Sequence, residues 1–351
     1  MASQTLRVGI VGAGANTKLR HIPGMRAIEG VEIVGVVNRT VESTARVAEE
    51  YAIPHRFAHW SELVASPDID AVVIGTWPNL HCEVTCAALN AGKHVLCEAR
   101  MARNFAEAKQ MLEVARANKD LVAQIVPSPF GLECGPTVEA MIKEHYLGDL
   151  REMVVIGATD QFWDYNLPLH WRQDEEISGR NVLALGILHE TLMRWAPEPV
   201  QVFAQAETFE PTRPAPEGEG YREVTIPDSV QILAELKGGV RAIYHLSGSI
   251  LFGPGLQIHL YGSRGTIKVT FANGTETVHC GRAGDKELQL LEIPEDERGK
   301  WQVEEEFVRA IRGNKKVRLN DFKTALAGME FTEAVGLSIE EEAAISLPLD
   351  E

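Results

Sequence analysis

The stretch Arg7-Val-Gly-Ile-Val-Gly12-Ala-Gly14-Ala-Asn16-Thr17 decides the fold of the first part of the chain. An apolar, β-branched run leads directly into closely spaced glycines, and a second apolar run follows at Val31–Val37. This pattern predicts a strand, a tight turn, a helix over residues 16–28 and a second strand. Such a unit typically begins a doubly wound parallel sheet.

The glycines indicate what the turn is for. Gly12 permits a sharp exit from the strand, and Gly14 has no side chain to block a pyrophosphate. The free N–H groups at the helix start, at Ala15 and Asn16, would then face the phosphates of a dinucleotide. The alternative is a glycine-rich turn in an ordinary α/β protein. Thr17 stands at the third glycine position of the pattern, so we expect helix and strand to pack less closely there.

The composition narrows the class of partner. With 351 residues the chain is long for one core and comfortable for two domains. Its 45% hydrophobic and 24% charged content is typical of a soluble globular protein. A net charge of −16 argues against nucleic acid or an anionic membrane as partner, because both are polyanions. An anionic cofactor would need a local positive field, which Arg39 and the helix start would supply.

The cysteines and the N-terminus predict a cytoplasmic location. The five cysteines are odd in number and sparse, which is typical of a reducing compartment. The sequence has no run of membrane-spanning length and no signal-peptide pattern before the first strand. Cys82 and Cys86 lie four residues apart on a predicted helix, where two core-facing thiols are a simpler interpretation than a metal site. We expect no metal.

Strand and helix patterns alternate through residues 1–126. The run Asp70-Ala-Val-Val-Ile-Gly-Thr76 is apolar almost throughout, as expected of a strand buried on both faces. A helix over 78–91, a strand over 94–97, a helix over 105–118 and a strand over 121–126 follow. The alternation predicts the α/β class, with an N-terminal Rossmann domain over 1–126 built on a doubly wound parallel sheet.

Residues 127–351 follow a different pattern. Strand-like segments recur at short, glycine-marked spacing from residue 151 to residue 280, interrupted by a helix over 181–195. They predict an α+β domain with a large, mostly antiparallel sheet that serves substrate binding and oligomerisation. Residues 210–220 are rich in proline, glycine and glutamate and should form a solvated loop. Helices over 302–312 and 322–340 close this domain.

Further landmarks recur along the whole chain in a fixed order. They are the glycine turn, His21-Ile-Pro23, Asp70-Ala-Val-Val-Ile-Gly-Thr76-Trp-Pro78-Asn-Leu-His81, Ala91-Gly-Lys93-His-Val-Leu-Cys97-Glu98 and Leu260-Tyr-Gly262-Ser-Arg-Gly265-Thr. Together they resemble the Gfo/Idh/MocA family of NAD(P)-dependent oxidoreductases, which includes glucose-fructose oxidoreductase and inositol dehydrogenase. The resemblance implies a nicotinamide cofactor and a small carbohydrate-like substrate. It also implies a homodimer or homotetramer formed through the second-domain sheet.

The resemblance assigns the nicotinamide half of the cofactor to the carboxyl ends of two strands. The residues implied there are Thr76, Trp77, Asn79, His81, Glu98 and Ala99. Open α/β sheets bind ligands at this edge. The alternative for His81 and Glu98 is a helix start and a strand end with solvated polar side chains.

The end of the second strand indicates which nicotinamide nucleotide is used. An acidic residue there would bind the ribose hydroxyls and repel a 2′-phosphate, but this chain has Asn38-Arg39-Thr40. A guanidinium and a hydroxyl favour NADP, with NAD possible and Asn38 and Arg39 as cofactor-binding residues. The alternative is an arginine in a plain, hydrated turn.

The proton-transfer residues of the family are substituted. The family's Glu-Lys-Pro triplet is Glu98-Ala99-Arg100 here, so a methyl group replaces the lysine. An aspartate and a histidine spaced i, i+4 on a second-domain helix correspond to Ala184 and Leu188. His189 lies one residue later, which turns it by about 100° on a helix. Hydride transfer to a carbonyl still needs a proton donor or a positive dipole at the developing alkoxide.

Other residues must therefore handle the proton if the protein is an active enzyme. The aromatic and polar run over 160–172 is the best candidate, because it follows the first strand of the second domain. Tyr165 and His170 in this run are candidate proton donors, and His189 is a third. Candidate substrate contacts are Trp163, Arg172 and Asn181. The alternatives are a structural loop with packed aromatics and, for His189, a hydrogen-bonded helix histidine.

These observations predict an NAD(P)-dependent oxidoreductase that transfers a hydride to or from a sugar-like or polyol substrate. The substitutions at Ala99, Ala184 and Leu188 leave a second hypothesis open, in which the protein binds the cofactor but is catalytically silent and acts as a sensor or regulatory subunit. A third is a lyase or hydrolase that uses the nicotinamide transiently.

Overall fold

The chain forms two compact units. The structure, a computed structural model, describes residues 5–313 and 316–349. One unit comprises Met1–Pro127 with Gln302–Met329, and the other comprises Ser128–Trp301 with Glu330–Glu351. The sequence pattern predicts that every residue after 126 belongs to the second domain. The structure instead places the returning segment Gln302–Met329 with the first unit.

The first unit is built on a six-stranded parallel sheet. Its strands are β1 (Leu6–Val11), β2 (Val31–Val37), β3 (His55–Arg56), β4 (Ala71–Ile74), β5 (His94–Cys97) and β6 (Ala123–Ile125). The order across the sheet is β3-β2-β1-β4-β5-β6, and the chain reverses its direction of progress between β1 and β4. This is the order of a Rossmann fold, and it confirms the predicted doubly wound sheet.

Helices follow the strands as the alternation predicts. They are α1 (Ile22–Arg26), α2 (Val41–Glu50), α3 (Trp60–Ala65), α4 (His81–Asn90) and α5 (Phe105–Ala117), with a 3₁₀ turn at Pro78–Leu80. A π-helical turn at Thr17–His21 precedes α1, so the first helix is not the regular α-helix that the sequence predicts. Insertions of this kind are often found at functional sites.

The register brings the carboxyl ends of four strands level with one another. Val11 pairs with both Val37 and Ile74, and Ile74 pairs with Cys97. All four side chains are buried in the core. The residues that follow these four strands are consequently neighbours at one edge of the sheet.

The second unit is built on a nine-stranded mixed sheet. Its helices are α6 (Gly135–Lys143), α7 (Glu175–Ser178) and α8 (Leu185–Leu192), with a 3₁₀ turn at Trp171–Gln173. Nine strands form this sheet: β7 (Leu150–Ala158), β8 (Pro199–Glu207), β11 (Ser229–Leu236), β12 (Val240–Ser247), β13 (Gly255–Gly262), β14 (Gly265–Ala272), β15 (Thr275–Arg282), β16 (Gln289–Leu290) and β17 (Ile345–Ser346). Two further strands, β9 (Thr212–Pro214) and β10 (Tyr221–Glu223), form a separate two-stranded sheet.

The large sheet runs in the order β16-β15-β14-β13-β7-β12-β11-β8-β17. Only the β7–β12 pair is parallel among these described strands, so the prediction of a mostly antiparallel sheet is confirmed. Helices α9 (Val303–Ile311) and α10 (Phe322–Glu341) complete the chain's helical elements. No helix in the described part of the chain is long and apolar enough to cross a membrane.

The segment predicted as a solvated loop contains a buried cation. β9 and β10 pair with each other, and Arg213 of β9 is among the largest fully buried side chains of the protein. Its guanidinium donates to the carbonyl oxygen of Phe162 and, at 2.7 Å, to that of Asp164. Residues 210–220 therefore anchor the loop that follows β7, which the composition of this segment does not reveal.

Candidate active site

The glycine turn after β1 has the conformation that a dinucleotide site requires. Gly12 has φ of +85°, and a Cβ there would lie 2.8 Å from the Thr76 backbone nitrogen. Only glycine therefore meets both demands at this position. A Cβ at Gly14 would meet only the Gly75 oxygen, at 3.4 Å, and Gly14 and Ala15 are both exposed. Thr76 thus fills the space next to Gly12, whereas the space next to Gly14 is free for a ligand.

Asn38 braces this turn. Its Oδ1 accepts a hydrogen bond of 2.7 Å from the Ala13 N–H, and its Nδ2 donates to the Ser43 carbonyl oxygen at 3.2 Å. The Asn38 N–H in turn donates to the Thr44 hydroxyl at 2.9 Å. The side chain was predicted to contact the cofactor, and the structure shows that it links the end of β2, the glycine turn and the first turn of α2.

Arg39 and Trp77, which the sequence places 38 positions apart, meet at this edge. The guanidinium carbon of Arg39 lies 5.5 Å from the centroid of the Trp77 ring, within the range of a cation–π contact. Both side chains are exposed. They form a flat cationic surface beside the end of β2.

Two buried oxygens after β4 have no hydrogen-bond partner among the described residues. They are Thr76 Oγ1 and Asn79 Oδ1. A buried polar atom without a partner costs about 1–3 kcal/mol, so such atoms usually receive a ligand or water. Both belong to the predicted nicotinamide segment, so the residues present suit the cofactor that the family implies.

The His81 ring contacts the backbone of this segment. Its side chain is fully buried, with Nδ1 2.8 Å from the Arg100 carbonyl oxygen and Nε2 3.0 Å from the Thr76 carbonyl oxygen. Burial lowers the pKa of His81 despite these two carbonyl groups. The prediction placed His81 against the cofactor, but the geometry commits both ring nitrogens to the backbone.

Glu98 lies at the centre of a polar cluster at the end of β5. Asn16 Nδ2 donates to its Oε1, His21 Nε2 donates to the same oxygen at 2.9 Å, and the Ala99 N–H donates to its Oε2 at 3.1 Å. Burial opposes ionisation of this carboxyl, but the hydrogen bond and charge of His21, together with Asn16 and Ala99, outweigh it and lower the pKa of Glu98. The predicted residues Asn16, Glu98 and Ala99 are therefore in contact.

The candidates in the second unit divide into exposed and buried residues. Trp163 and Tyr165 are exposed in the loop after β7. The Arg172 guanidinium carbon lies 4.1 Å from the centroid of the Trp171 ring. His170 Nδ1 accepts a hydrogen bond of 3.2 Å from the Arg172 N–H, and burial lowers the pKa of His170.

His189 and Asn181, which the sequence predicts as site residues, are both buried in the second unit. The His189 ring stacks on Phe331 with a centroid distance of 3.6 Å, and Nδ1 shares a hydrogen bond of 2.9 Å with the Tyr244 hydroxyl. Burial lowers the pKa of His189 to about 3, so it remains neutral at physiological pH. Asn181 is also buried, and its Nδ2 donates to the Ser178 carbonyl oxygen at 2.6 Å. Neither side chain is placed to exchange a proton with solvent.

Sequence reasoning missed one functional candidate of the first unit, His21, and its buried partner Glu304. His21 was noted only as a landmark, and Glu304 of α9 was not considered. His21 Nδ1 lies 2.6 Å from Glu304 Oε1, although 283 positions separate the two residues. A separation of this size leaves no local pattern, so only the fold reveals the contact.

Comparison with known proteins agrees with this geometry. Residues 6–125 match the model of an oxidoreductase family with an NAD-binding Rossmann fold, GFO_IDH_MocA, and residues 136–268 match the C-terminal domain of the same family. A scyllo-inositol 2-dehydrogenase (NADP(+)) from Bacillus subtilis is 25% identical over 338 residues, which cover 93% of this chain and 95% of that protein.

A 4-carboxy-2-hydroxymuconate-6-semialdehyde dehydrogenase from Sphingobium sp. is 38% identical over 108 residues, or 31% of this chain. The chain thus spans only 34% of that relative's length. The solved structure of a levoglucosan dehydrogenase in complex with NADH and L-sorbose has a TM-score of 0.86, with 21% identity, 98% of this chain covered and 99% of that one. The glycine turn, the strand order and both family matches lead to one conclusion: this chain belongs to the Gfo/Idh/MocA oxidoreductase family.

Proposed function

We propose that this protein is an NAD(P)-dependent oxidoreductase that transfers a hydride to or from a sugar-like or polyol substrate. One observation carries the proposal. The bare turn at Gly12 and Gly14 lies at the same sheet edge as two buried oxygens, Thr76 Oγ1 and Asn79 Oδ1, for which residues 5–313 and 316–349 provide no hydrogen-bond partner. A nicotinamide nucleotide would accept or supply the hydride when bound, and these groups would hold it. The inositol and levoglucosan dehydrogenases among the relatives support a polyhydroxylated substrate.

The residues of this chain divide the remaining work. In the first unit, Gly14, Ala15 and Asn16 would receive the phosphates at the open turn. In the second unit, Trp163 and Arg172 are suited to stack on a sugar face and to bind hydroxyls. Tyr165 and His170 are the proposed proton donors. Since His170 Nδ1 accepts a hydrogen bond, the neutral ring carries its proton on Nε2 and can donate it.

We further propose NADP as the preferred nucleotide. Arg39 is exposed over Trp77, and the three residues directly after β2, Asn38, Arg39 and Thr40, include no acidic side chain to repel a 2′-phosphate. Thr40 contributes less than the sequence suggested, because its hydroxyl caps α2 by accepting from the Ser43 N–H at 3.2 Å. One relative is named as NADP-dependent and another was solved with NADH, so both nucleotides occur among its relatives.

A homodimer or homotetramer is part of the proposal. Phe203, Leu233 and Ile243 are direct cross-strand neighbours on β8, β11 and β12. Their exposed fractions are 43%, 57% and 49%, so they form a continuous apolar row on one face of the large sheet. Such a row is typical of an interface.

A cytoplasmic location is likewise proposed, and the five free cysteines support it.

The test is to mix the protein with NADPH or NADH and a panel of keto-sugars, or with the oxidised nucleotides and aldoses or polyols. Turnover is followed by the absorbance of the reduced nicotinamide. We expect turnover with at least one sugar or polyol. Tight nucleotide binding without turnover across the panel would favour the alternative of a catalytically silent, cofactor-binding protein. Ala99 and the buried Leu188 motivate this alternative, because they stand where the family has proton-transfer residues. Turnover without net change in the nucleotide would indicate the lyase or hydrolase alternative.

A further inference from the structure

The first unit contains a buried cluster of three ionisable side chains, those of Glu98, His21 and Glu304. His21, at the end of the π-helical turn, is fully buried between two carboxylates. Its Nδ1 donates to Glu304 Oε1 at 2.6 Å and its Nε2 donates to Glu98 Oε1 at 2.9 Å. Two carboxylate partners require a proton on both ring nitrogens, so the ring is held as an imidazolium.

Gly24 makes room for this arrangement. A Cβ at Gly24 would lie 2.8 Å from Glu304 Cδ and 2.9 Å from Oε2. The bare backbone of α1 therefore admits the carboxylate of Glu304, which is almost completely buried. Buried carboxylates are costly unless a charge and hydrogen bonds compensate them, and His21 supplies both.

Glu98, at the end of β5, keeps one acceptor position open. A carboxylate offers about four acceptor positions. Glu98 uses two of them on Oε1, for Asn16 and His21, and one on Oε2, for Ala99. The remaining position is on Oε2, and 15% of the Glu98 side chain is exposed. A hydroxyl group is the natural donor for such an oxygen.

We propose that His21 is a positioning residue of the nucleotide site, which as a cation between Glu98 and Glu304 keeps the Glu98 carboxylate ionised and aimed at a hydroxyl of the bound nicotinamide nucleotide. The inference rests on the proposed function. Without the imidazolium, two adjacent buried carboxylates cannot both stay ionised, and one must take a proton or move away. If a carboxylate moved away instead of taking a proton, its uncompensated negative charge would repel an anionic nucleotide.

Two charged side chains contact His21, those of Glu98 and Glu304. Glu98 and Glu304 together raise the pKa of His21 to about 9, against the opposing effect of burial. On the same helical segment, Lys18 pairs with Glu50 at 2.6 Å and Arg20 is exposed. His81 also lies near Glu98, and burial lowers the pKa of His81.

The test is calorimetric titration of NADPH and NADH into the full-length protein between about pH 7 and about pH 10, on both sides of the His21 pKa of about 9. We expect wild-type affinity to be constant at first and to weaken as the pH rises through about 9. His21→Gln should bind at least about tenfold more weakly at neutral pH, as expected from losing a hydrogen bond to a charged group. It should also lose the alkaline change in affinity.

Glu304→Gln distinguishes positioning from general support of the fold. It leaves the His21–Glu98 pair in place, so binding at neutral pH should stay near the wild-type value. The weakening of nucleotide affinity at alkaline pH should begin at lower pH, because the His21 imidazolium keeps only one carboxylate partner and its pKa falls. His94→Gln is the matched control. His94 lies at the opposite end of β5 and its Nδ1 accepts from the Val122 N–H at 2.9 Å, so this variant should lose thermal stability but not affinity.

The outcomes separate the two proposals. Failure of the wild-type protein to bind either nucleotide overturns the proposed function. Wild-type binding together with unchanged affinity of folded His21→Gln overturns only the positioning role of His21. If His21→Gln does not fold, Glu304→Gln decides, and an unshifted alkaline change then counts against the inference.

Discussion

Asn38 Oδ1 accepts a hydrogen bond of 2.7 Å from the Ala13 N–H, and this contact ties the end of β2 to the glycine turn. One side chain thus fixes the shape of the glycine turn and stands at the end of β2, where we propose that the nucleotide is selected. Aspartate keeps the oxygen that accepts from the Ala13 N–H, loses the donor to the Ser43 carbonyl oxygen and adds a negative charge, so it changes the charge at this position while the contact with the turn is kept.

Asn38→Asp should therefore shift the preference from NADPH towards NADH. We expect NADPH affinity to fall by roughly tenfold relative to NADH, which corresponds to about 1.4 kcal/mol of added repulsion. The two dissociation constants are measured by calorimetry. Asn38→Ala is the control, which should weaken both nucleotides to a similar extent. Equal losses for both nucleotides in Asn38→Asp would contradict the prediction.

The two glycines of the turn should respond differently to a methyl group. Gly12→Ala forces a Cβ to within 2.8 Å of Thr76 and keeps φ at +85°, so we expect a loss of about 1–3 kcal/mol in the free energy of unfolding. Gly14→Ala has room and should leave stability within about 0.5 kcal/mol of wild type. It should nevertheless weaken nucleotide binding, because the methyl group occupies the space of the phosphates. Urea denaturation and calorimetry measure the two effects, and full binding by Gly14→Ala would argue against a dinucleotide site.

His189 should make the protein sensitive to acid. Its folded pKa of about 3 lies below the usual value of 6.5, so the unfolded chain binds a proton that the folded chain excludes. Its contribution to stability is complete above about pH 6.5 and is lost as the pH falls towards 3, by up to a few kcal/mol. His189→Gln should flatten the dependence of the unfolding free energy on pH in this window. Tyr244→Phe removes the shared hydrogen bond but keeps the histidine, so its pH dependence should remain.

Arg213 should hold the loop that carries Trp163 and Tyr165. Arg213→Met removes the donors to the carbonyl oxygens of Phe162 and Asp164 but keeps the apolar stem. Leaving these acceptors unpaired should cost about 2–5 kcal/mol in unfolding free energy. Limited proteolysis should then cut the loop over 160–170 faster, while NADPH affinity stays unchanged. Unaltered cleavage would show that the loop does not depend on this guanidinium.

A charge on the apolar row of the large sheet should reduce the oligomeric state. Leu233→Asp places a carboxylate between Phe203 and Ile243, which an interface would have to bury without a partner. Sedimentation analysis should show a smaller species than wild type. Leu251→Asp is the matched control, because Leu251 is about as exposed but lies in the loop after β12. A wild-type protein that sediments as a monomer would refute the proposed oligomer.

The parallel sheet and the glycine turn follow from local pattern. Strands such as Ala71–Ile74 are short apolar runs between helices, and each needs burial on both faces, so the alternation leaves few other folds. Gly12 and Gly14 were identified correctly as turn glycines because their role depends on backbone geometry within a few residues. The mostly antiparallel sheet of the second unit also follows from local pattern, because its strand segments recur at short, glycine-marked spacing.

The side-chain network of the site did not follow from the sequence. His81 and Asn38 were predicted as cofactor contacts, but a sequence pattern does not reveal whether a polar atom already has a backbone partner. His189 was weighed by its helical angle, whereas the buried ring of Phe331, 142 positions later, decides its environment. Arg213 was overlooked because a segment rich in proline and glutamate usually indicates solvent.

The nucleotide-binding unit is discontinuous in sequence, and this has a consequence for biosynthesis. The Ile125 N–H donates to the Asn320 carbonyl oxygen at 3.1 Å, and Phe322 packs in the same core as Ile74. The ribosome must therefore synthesise residues 128–301 before the segment that packs last against the Rossmann sheet, Gln302–Met329, exists. An excised fragment ending at Pro127 would lack Glu304, one of the two carboxylates that contact His21, and we expect it to fold only in part. The segment Gln302–Met329, synthesised after most of the other unit, completes the domain that began first.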